Sequence, residues 1–452
     1  MSIAAAGRPA AATPGTMNTT YHKSVLPSGI TLLTETMAER RTFSMGLWVK
    51  SGARDEPPAW LGISHMLEHM LFKGTERRDA RAIAQSLESL GGHLDAYTAR
   101  EQVCIYARAL AENLPEVVDV LADVACRSKL TPSDVEREKS VVREEILSYE
   151  DNPEEKINDV LAEQVWGGHA LGRPILGTAE TVDALTPGQL RDYHARRYRP
   201  EHLMVSAVGP LDPEQVADLV EAHLSPPSGE AMPLSEPPPP FQPSVRHEER
   251  DLQQLYISLG TRGIPFADDA QPVLSVLSTL LGGGMSSRLF QSVREEAGLA
   301  YSVYAVTDFF RDSGMLSIHM GVLPERGREA LQRTREELER FRRDGPDEEE
   351  VAAARRQMKG SVVMENESVS SRMIQLAHEE IYRGQYSALE EQIDRIMSVT
   401  RDQVAEAARR YLDPARFALT ALGPAPGGLI GPADWPIDTA AVPEPARGAA
   451  LS

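Results

Sequence analysis

The chain has 452 residues, a net charge of -20, 41% hydrophobic and 25% charged residues, which is typical of a globular protein large enough for two or more domains. This negative charge argues against nucleic acid as a partner and favours basic peptides if the acidic residues line a cavity. The sequence has no apolar run of about 18 residues that could span a membrane, and its two cysteines, Cys104 and Cys126, form no disulfide framework and suit a reducing compartment.

Both ends of the chain are rich in Ala and Pro, which predicts disorder at 1–16 and at 425–452. The first segment lacks the charged start and long apolar run of a secretory signal, so the cytoplasm is the default location. Patterned sequence begins directly after Met17, which leaves both Met1 and Met17 as candidate start residues.

Alternating and helical apolar periodicities predict a series of strands and helices over the first half. The predicted strands lie at 30–35, 43–49, 94–98, 103–107 and 203–209. The predicted helices lie at 64–75, 81–90, 112–128, 132–150, 155–166 and 187–198. A Pro-rich segment at 225–245 follows, which predicts an extended linker.

Beyond this linker, the sequence pattern of the first half recurs. Gln189 and Gln403 lie 214 residues apart in similar surroundings, and Tyr198 and Tyr411 lie 213 apart. We therefore predict an α+β fold of two homologous α/β-sandwich domains, 17–224 and 246–424, each with a mixed, mainly antiparallel sheet packed by helices. An offset of 216 places a glycine run, 281–285, opposite the helix at 64–75.

The helix at 64–75 carries the clearest chemical motif. His65 and His69 are four residues apart and share one helix face, with Glu68 beside them. Two imidazoles one turn apart can bind one tetrahedral metal ion, and an adjacent carboxylate can take a proton from a water there. The alternative is that the three polar side chains simply form a solvated helix face.

A catalytic zinc site usually needs a third protein ligand. Candidates lie on the acidic helix at 132–150, where Glu138 and Glu145 are seven residues apart and share a face. The alternative for so acidic a helix is a solvated surface, and periodicity alone does not decide between them.

Five stretches together identify a family: 62–75 (GISHMLEHMLFKGT), 136–146 (EREKSVVREEI), 172–178 (GRPILGT), 282–290 (GGGMSSRLF) and 294–304 (REEAGLAYSVY). The chain from about 20 to 424 resembles the pitrilysin-like inverzincin metallopeptidases. Within them, it is most similar to the β-type subunit of mitochondrial processing peptidase and its bacterial homologues.

The resemblance implies one zinc ion per chain, bound by His65, His69 and Glu145, because the family's third ligand lies 76 residues beyond its second histidine. It implies that Glu138 orients a ligand and that Glu68 carries the proton.

The resemblance also assigns residues that contact the substrate. Arg294 and Tyr301 match an Arg and a Tyr that bind the substrate backbone and help stabilise the oxyanion; their alternative is an ordinary surface arginine and strand tyrosine. The substrate would add as a strand beside Asp95, Ala96, Tyr97 and Thr98. The alternative there is a plain core strand.

The implied activity is zinc-dependent endopeptidase cleavage of peptides or unfolded segments in an enclosed chamber. Two alternatives belong to the same family: a processing peptidase dedicated to one precursor, and a non-catalytic scaffold subunit. Because larger relatives enclose peptides with four such domains, this two-domain chain predicts a homodimer, with a heterodimer with an inactive relative as the alternative.

Overall fold

The computed structural model describes residues 19–227 and 230–438. The prediction of disorder at 1–16 and the choice between Met1 and Met17 lie outside these residues. The strands within them are β1 (Thr19–Val25), β2 (Thr31–Met37), β3 (Thr42–Val49), β4 (His93–Thr98), β5 (Val103–Leu110), β6 (Leu203–Gly209), β7 (Val245–Glu248), β8 (Leu255–Arg262), β9 (Ala300–Phe309), β10 (Gly314–Val322) and β11 (Ala418–Leu422).

The α-helices follow the sequence prediction closely in the first half. They are α1 (Ile63–Leu71), α2 (Ala80–Glu88), α3 (Leu114–Cys126), α4 (Pro132–Glu150), α5 (Pro153–Trp166), α6 (Ala179–Ala184), α7 (Pro187–Arg197), α8 (Pro213–His223), α9 (Gln271–Gly282), α10 (Gly327–Asp344), α11 (Glu348–Asn366), α12 (Val369–Arg383), α13 (Leu389–Met397) and α14 (Arg401–Tyr411).

The strands form two mixed sheets with matching topology. The order in the first is β1-β2-β6-β3-β5-β4, and the order in the second is β7-β11-β8-β10-β9. In each sheet one parallel pair, β2 with β6 and β7 with β11, is followed by antiparallel neighbours. The predicted α+β fold with two related halves is confirmed, and β1 is an addition to the first sheet.

The helix that corresponds to α1 in the second half is α9. Helix α1 packs on β4, α4 and α7, and α9 packs on the equivalent elements β9, α11 and α14. The predicted offset of 216 was therefore wrong for this helix. The loops before it differ in length between the halves, so the glycine run 282–284 lies at the end of α9.

Each half contributes a helix to the sheet of the other. Helix α5 of the first half packs on β8 and β11, and α12 of the second half packs on β3 and β6. The buried side chains of Trp48, Met204 and Met373 form one of these contacts, and those of Leu161 and Met315 belong to the other. Because apolar burial contributes about 25 cal/mol per Å², this exchange stabilises the two halves against each other.

The prediction of disorder after 424 was wrong for residues 425–438. Ile430 and Trp435 are buried in the core of the second half, and Trp435 donates from Nε1 to the carbonyl of Pro414 at 3.0 Å. The two buried side chains, together with the ion pair of Arg328 with Asp434, hold this irregular segment on the second half. Residues 439–452 lie outside the described part.

Among the described helices, none combines the length and the apolar character needed to cross a bilayer.

Candidate metal centre

Helix α1 turns one face into the core and the other toward α4. Met66, Leu67 and Met70 are almost fully buried. This packing fixes the rotation of the helix, so His65 and His69 project together, with 4.5 Å between their ring centroids.

Glu145 reaches the two histidines from α4. Its Oε2 lies 3.6 Å from His65 Nε2 and 3.5 Å from His69 Nε2. Val135 and Val142 are buried on α4 and fix which face of that helix meets α1. The structure thus brings together the three residues that the sequence analysis proposed as metal ligands.

These donor atoms suit a zinc ion. The three ligand atoms lie within 4.8 Å of one another, and bond lengths near 2.1 Å at tetrahedral angles put ligand atoms about 3.4 Å apart, close to the separations seen here. Burial, with the neighbouring His69, lowers the pKa of His65 to about 4, so its ring is neutral and able to ligate at neutral pH. Two imidazoles and one carboxylate also leave a fourth position for water, as in catalytic zinc sites.

Glu138 completes the surroundings of His69. Its Oε1 lies 2.8 Å from His69 Nδ1, and its Oε2 forms an ion pair with Lys73 Nζ at 2.7 Å. Burial acts to lower the pKa of His69, but the carboxylates of Glu145 and Glu138 outweigh it and raise that pKa. A proton on Nδ1, held by Glu138, leaves Nε2 to face Glu145 and a metal.

Glu138→Gln tests this arrangement. The amide keeps the size of the side chain but removes the charge that holds His69 and Lys73. We expect zinc affinity to fall about 10-fold, measured by competition with a chromogenic chelator. Glu136→Gln is the matched control, because Glu136 is on the same helix and pairs with Lys139 instead; an equal loss in the control would contradict the role of Glu138.

Glu68 is placed apart from the three converging ligand atoms. Its Oε2 accepts a short hydrogen bond from the Thr98 hydroxyl, which fixes the carboxylate. Burial raises the pKa of the Glu68 carboxyl, opposed by this hydrogen bond. A carboxylate with a raised pKa beside a metal site is suited to take and return a proton.

The proposed substrate strand is β4, which lies at the edge of the first sheet and, in the described ranges 19–227 and 230–438, pairs with β5 alone. Ala96 packs toward the core that contains α1, and Tyr97 packs on the opposite face against Trp48. Asp95 accepts from Tyr106 and from the backbone of Ala96. Among the described residues, the edge of β4 that points away from β5 pairs with no other strand, and the Thr98 side chain at the end of β4 contacts Glu68.

Arg294 and Tyr301 contact each other in the second half. The Arg294 guanidinium lies 5.7 Å from the centre of the Tyr301 ring and 4.6 Å from that of Phe290, and Tyr301 is 79% exposed. In the described part of the chain, no hydrogen bond, ion pair or ring contact joins this pair to His65, Glu68 or His69. The structure therefore does not bring the pair into the metal centre of its own chain.

Sequence reasoning missed Glu56, which supports α1 from outside the helix. Both of its carboxylate oxygens accept backbone N–H groups, from Gly62 and Ser64, at 2.7 Å each. Burial raises the pKa of Glu56 to about 7. The only available sequence signal was that α1 begins after a glycine, which supplies no capping side chain.

Comparison with known proteins adds family evidence. Residues 31–179 match the family model described as insulinase, peptidase family M16, and residues 184–358 match the model of the M16 inactive domain. An uncharacterised zinc protease of Mycobacterium tuberculosis is 39% identical over 410 residues, covering 89% of this chain and 93% of that protein. One of Bacillus subtilis is 36% identical over 398 residues, covering 88% and 97%.

Solved structures share the fold. The structure titled as the peptidase M16 inactive domain from Pseudomonas fluorescens gives a TM-score of 0.84 at 24% identity, covering 90% of this chain and 98% of that one. A protease from Helicobacter pylori gives 0.84 at 20% identity, covering 90% and 99%.

Proposed function

The chain belongs to the insulinase family, peptidase family M16, and we propose that it is a zinc-dependent endopeptidase that hydrolyses peptides or unfolded segments. The observation that carries this proposal is the convergence of His65, His69 and Glu145, with the half-buried carboxylate of Glu68 beside them. Relatives named as zinc proteases support the same reaction class.

In this proposal His65, His69 and Glu145 hold one zinc ion per chain. Bound there, zinc supplies Lewis acidity, which polarises a peptide carbonyl and lowers the pKa of water to about 7. Glu68 accepts the proton of the attacking water and delivers it to the nitrogen of the leaving amine. Thr98 keeps the Glu68 carboxylate in one orientation during both transfers.

The substrate is proposed to bind as an extended strand along β4. The free edge of that strand offers main-chain donors and acceptors, which recognise a backbone with little dependence on side chains. Only a peptide or an unfolded segment presents a continuous free backbone. Thr98 belongs to this strand and contacts Glu68, so the scissile bond would lie near the proton carrier.

The test is metal content together with cleavage of a quenched peptide of mixed sequence. The purified protein is expected to contain about one zinc per chain, to cleave the peptide, to lose activity with a chelator and to regain it with zinc. A folded protein that contains the same peptide sequence in a strand should resist. A chain that binds no zinc, or that binds zinc without cleaving any peptide, would contradict the proposal, and the second outcome would favour a scaffold role.

A further inference from the structure

Three consecutive charged residues, Arg54, Asp55 and Glu56, are buried between β3 and α1. Their exposed fractions are 0%, 5% and 4%. Buried charges are costly unless they are paired and hydrogen-bonded. The partners of these three side chains therefore show which parts of the molecule the segment holds together.

Glu56 holds the first turn of the metal-binding helix. It accepts the N–H groups of Gly62 and Ser64, which otherwise lack partners at a helix start. Gly62 has φ +89°, and a Cβ there would lie 2.7 Å from the carbonyl oxygen of Leu176. No capping Ser or Asp fits at this position, so the cap comes from six residues upstream. His65 follows Ser64 directly.

Arg54 and Asp55 hold the second half. Arg54 donates to both carboxylate oxygens of Asp312, at 2.8 Å for Nη1 to Oδ1, and Arg311 donates to Asp55 at 2.7 Å. Glu101 accepts from Arg54 at 2.6 Å and from the backbone of Arg311 at 3.0 Å. Arg311 and Asp312 lie in the turn between β9 and β10, 256 residues from Asp55 and 258 residues from Arg54 along the chain.

We propose that the segment 54–56 positions the metal-binding helix against the second half of the chain, with Glu56 as a positioning residue and Arg311 as its anchor. Adjacent residues share rigid peptide planes, so fixing Asp55 from one side also restricts Glu56. A displaced first turn moves His65 relative to Glu145, which lies on another helix. The half that lacks the zinc motif thereby contributes to the metal site of the other half. This inference rests on the proposed zinc centre.

The test compares the variants Glu56→Gln and Arg311→Gln with the wild type. Their zinc dissociation constants are measured by chelator competition, and their kcat and KM are measured with a quenched peptide. The glutamine amide would put an NH₂ group against one of the two backbone N–H groups. We expect zinc affinity to fall about 10-fold for Glu56→Gln, the lower end of the range for residues that orient ligands, and by less, about threefold, for Arg311→Gln, which acts on Glu56 only through Asp55. At saturating zinc, kcat should fall with KM little changed. In the double variant the loss should be smaller than the product of the single losses, because both act on one element.

Two controls separate positioning from general destabilisation. Arg372→Gln breaks another buried ion pair between the halves, from α12 to Glu35 on β2 at 2.7 Å. Asp79→Ala removes the cap of the neighbouring helix α2, where Asp79 accepts from the Ala82 N–H. Both should leave zinc affinity within twofold of wild type, even where thermal unfolding shifts.

If Arg311→Gln does not fold, as judged by circular dichroism, Asp55→Asn removes the same ion pair and keeps the acceptor for the Ser235 N–H. Unchanged zinc affinity in Glu56→Gln would overturn the inference. An equal loss of zinc affinity in Arg372→Gln and in Arg311→Gln, or in Asp55→Asn where that variant is used instead, would also overturn it. A wild-type protein that binds no zinc would instead overturn the proposed function.

Discussion

Glu68→Gln is expected to retain zinc and to lose about 100- to 10,000-fold in kcat, the range that general acid–base catalysis supplies. Glutamine keeps the shape of the side chain and an oxygen that accepts from Thr98. It does not accept a proton at neutral pH. Because Glu68 lies outside the three converging ligand atoms, metal content should remain at the wild-type level, as measured by plasma mass spectrometry beside the turnover assay.

Two variants of α4 serve as controls. Glu145→Gln should weaken zinc binding itself, because a neutral amide is a poorer ligand than a carboxylate. Glu144→Gln, at the neighbouring exposed position, should change neither metal content nor kcat. A zinc-free Glu68→Gln together with a fully loaded Glu145→Gln would reverse the two assignments.

The parts of the site that depend on local geometry could be predicted from the sequence. The spacing of His65 and His69 on one helix requires only the α-helical period, and the structure places both as expected. Local geometry did not predict that Glu145 approaches these two histidines. Periodicity showed an acidic helix, and only the family resemblance selected this residue. The structural reason is that buried Val135 and Val142 alternate with Glu138 and Glu145 along the face that packs on α1.

Contacts between distant parts of the chain could not be derived in this way. The pairing of Arg54 with Asp312 joins residues 258 positions apart, and nothing in either local pattern specifies it. The sequence also does not show that α5 and α12 each pack on the sheet of the other half, because the pattern of an amphipathic helix does not specify which sheet it covers. The equivalence of α1 and α9 was missed because loop lengths differ between the halves, which shifts a single fixed offset.

Arg294 is half-buried and Tyr301 is exposed, both in the second half of the chain. In the described part of the chain these residues contact each other but not the metal-binding histidines. An exposed phenol with a partly exposed guanidinium beside it is available to a second molecule. We therefore propose a homodimer in which this pair completes the site of the partner subunit, binding the substrate backbone and stabilising the developing oxyanion.

The proposal predicts complementation between two inactive variants. His65→Ala should lack a working metal site, and Arg294→Ala/Tyr301→Phe should lack the groups that it lends to its partner. After subunit exchange, half of the dimers should be mixed, and each mixed dimer has one site with all its parts. Activity should therefore recover to about a quarter of wild type, measured with a quenched peptide.

Native mass spectrometry of the exchanged sample decides how a failure is interpreted. Exchange of His65→Ala with Glu68→Gln is the matched control. Both changes affect the same domain, one the metal site and the other the proton carrier, so no mixed dimer has a site with all its parts and none should be active. Mixed dimers without recovery in the main experiment would mean that Arg294 and Tyr301 act within their own chain or have no catalytic role. A purely monomeric protein with full activity would exclude the shared site directly, since one chain would then hold every group that the reaction needs.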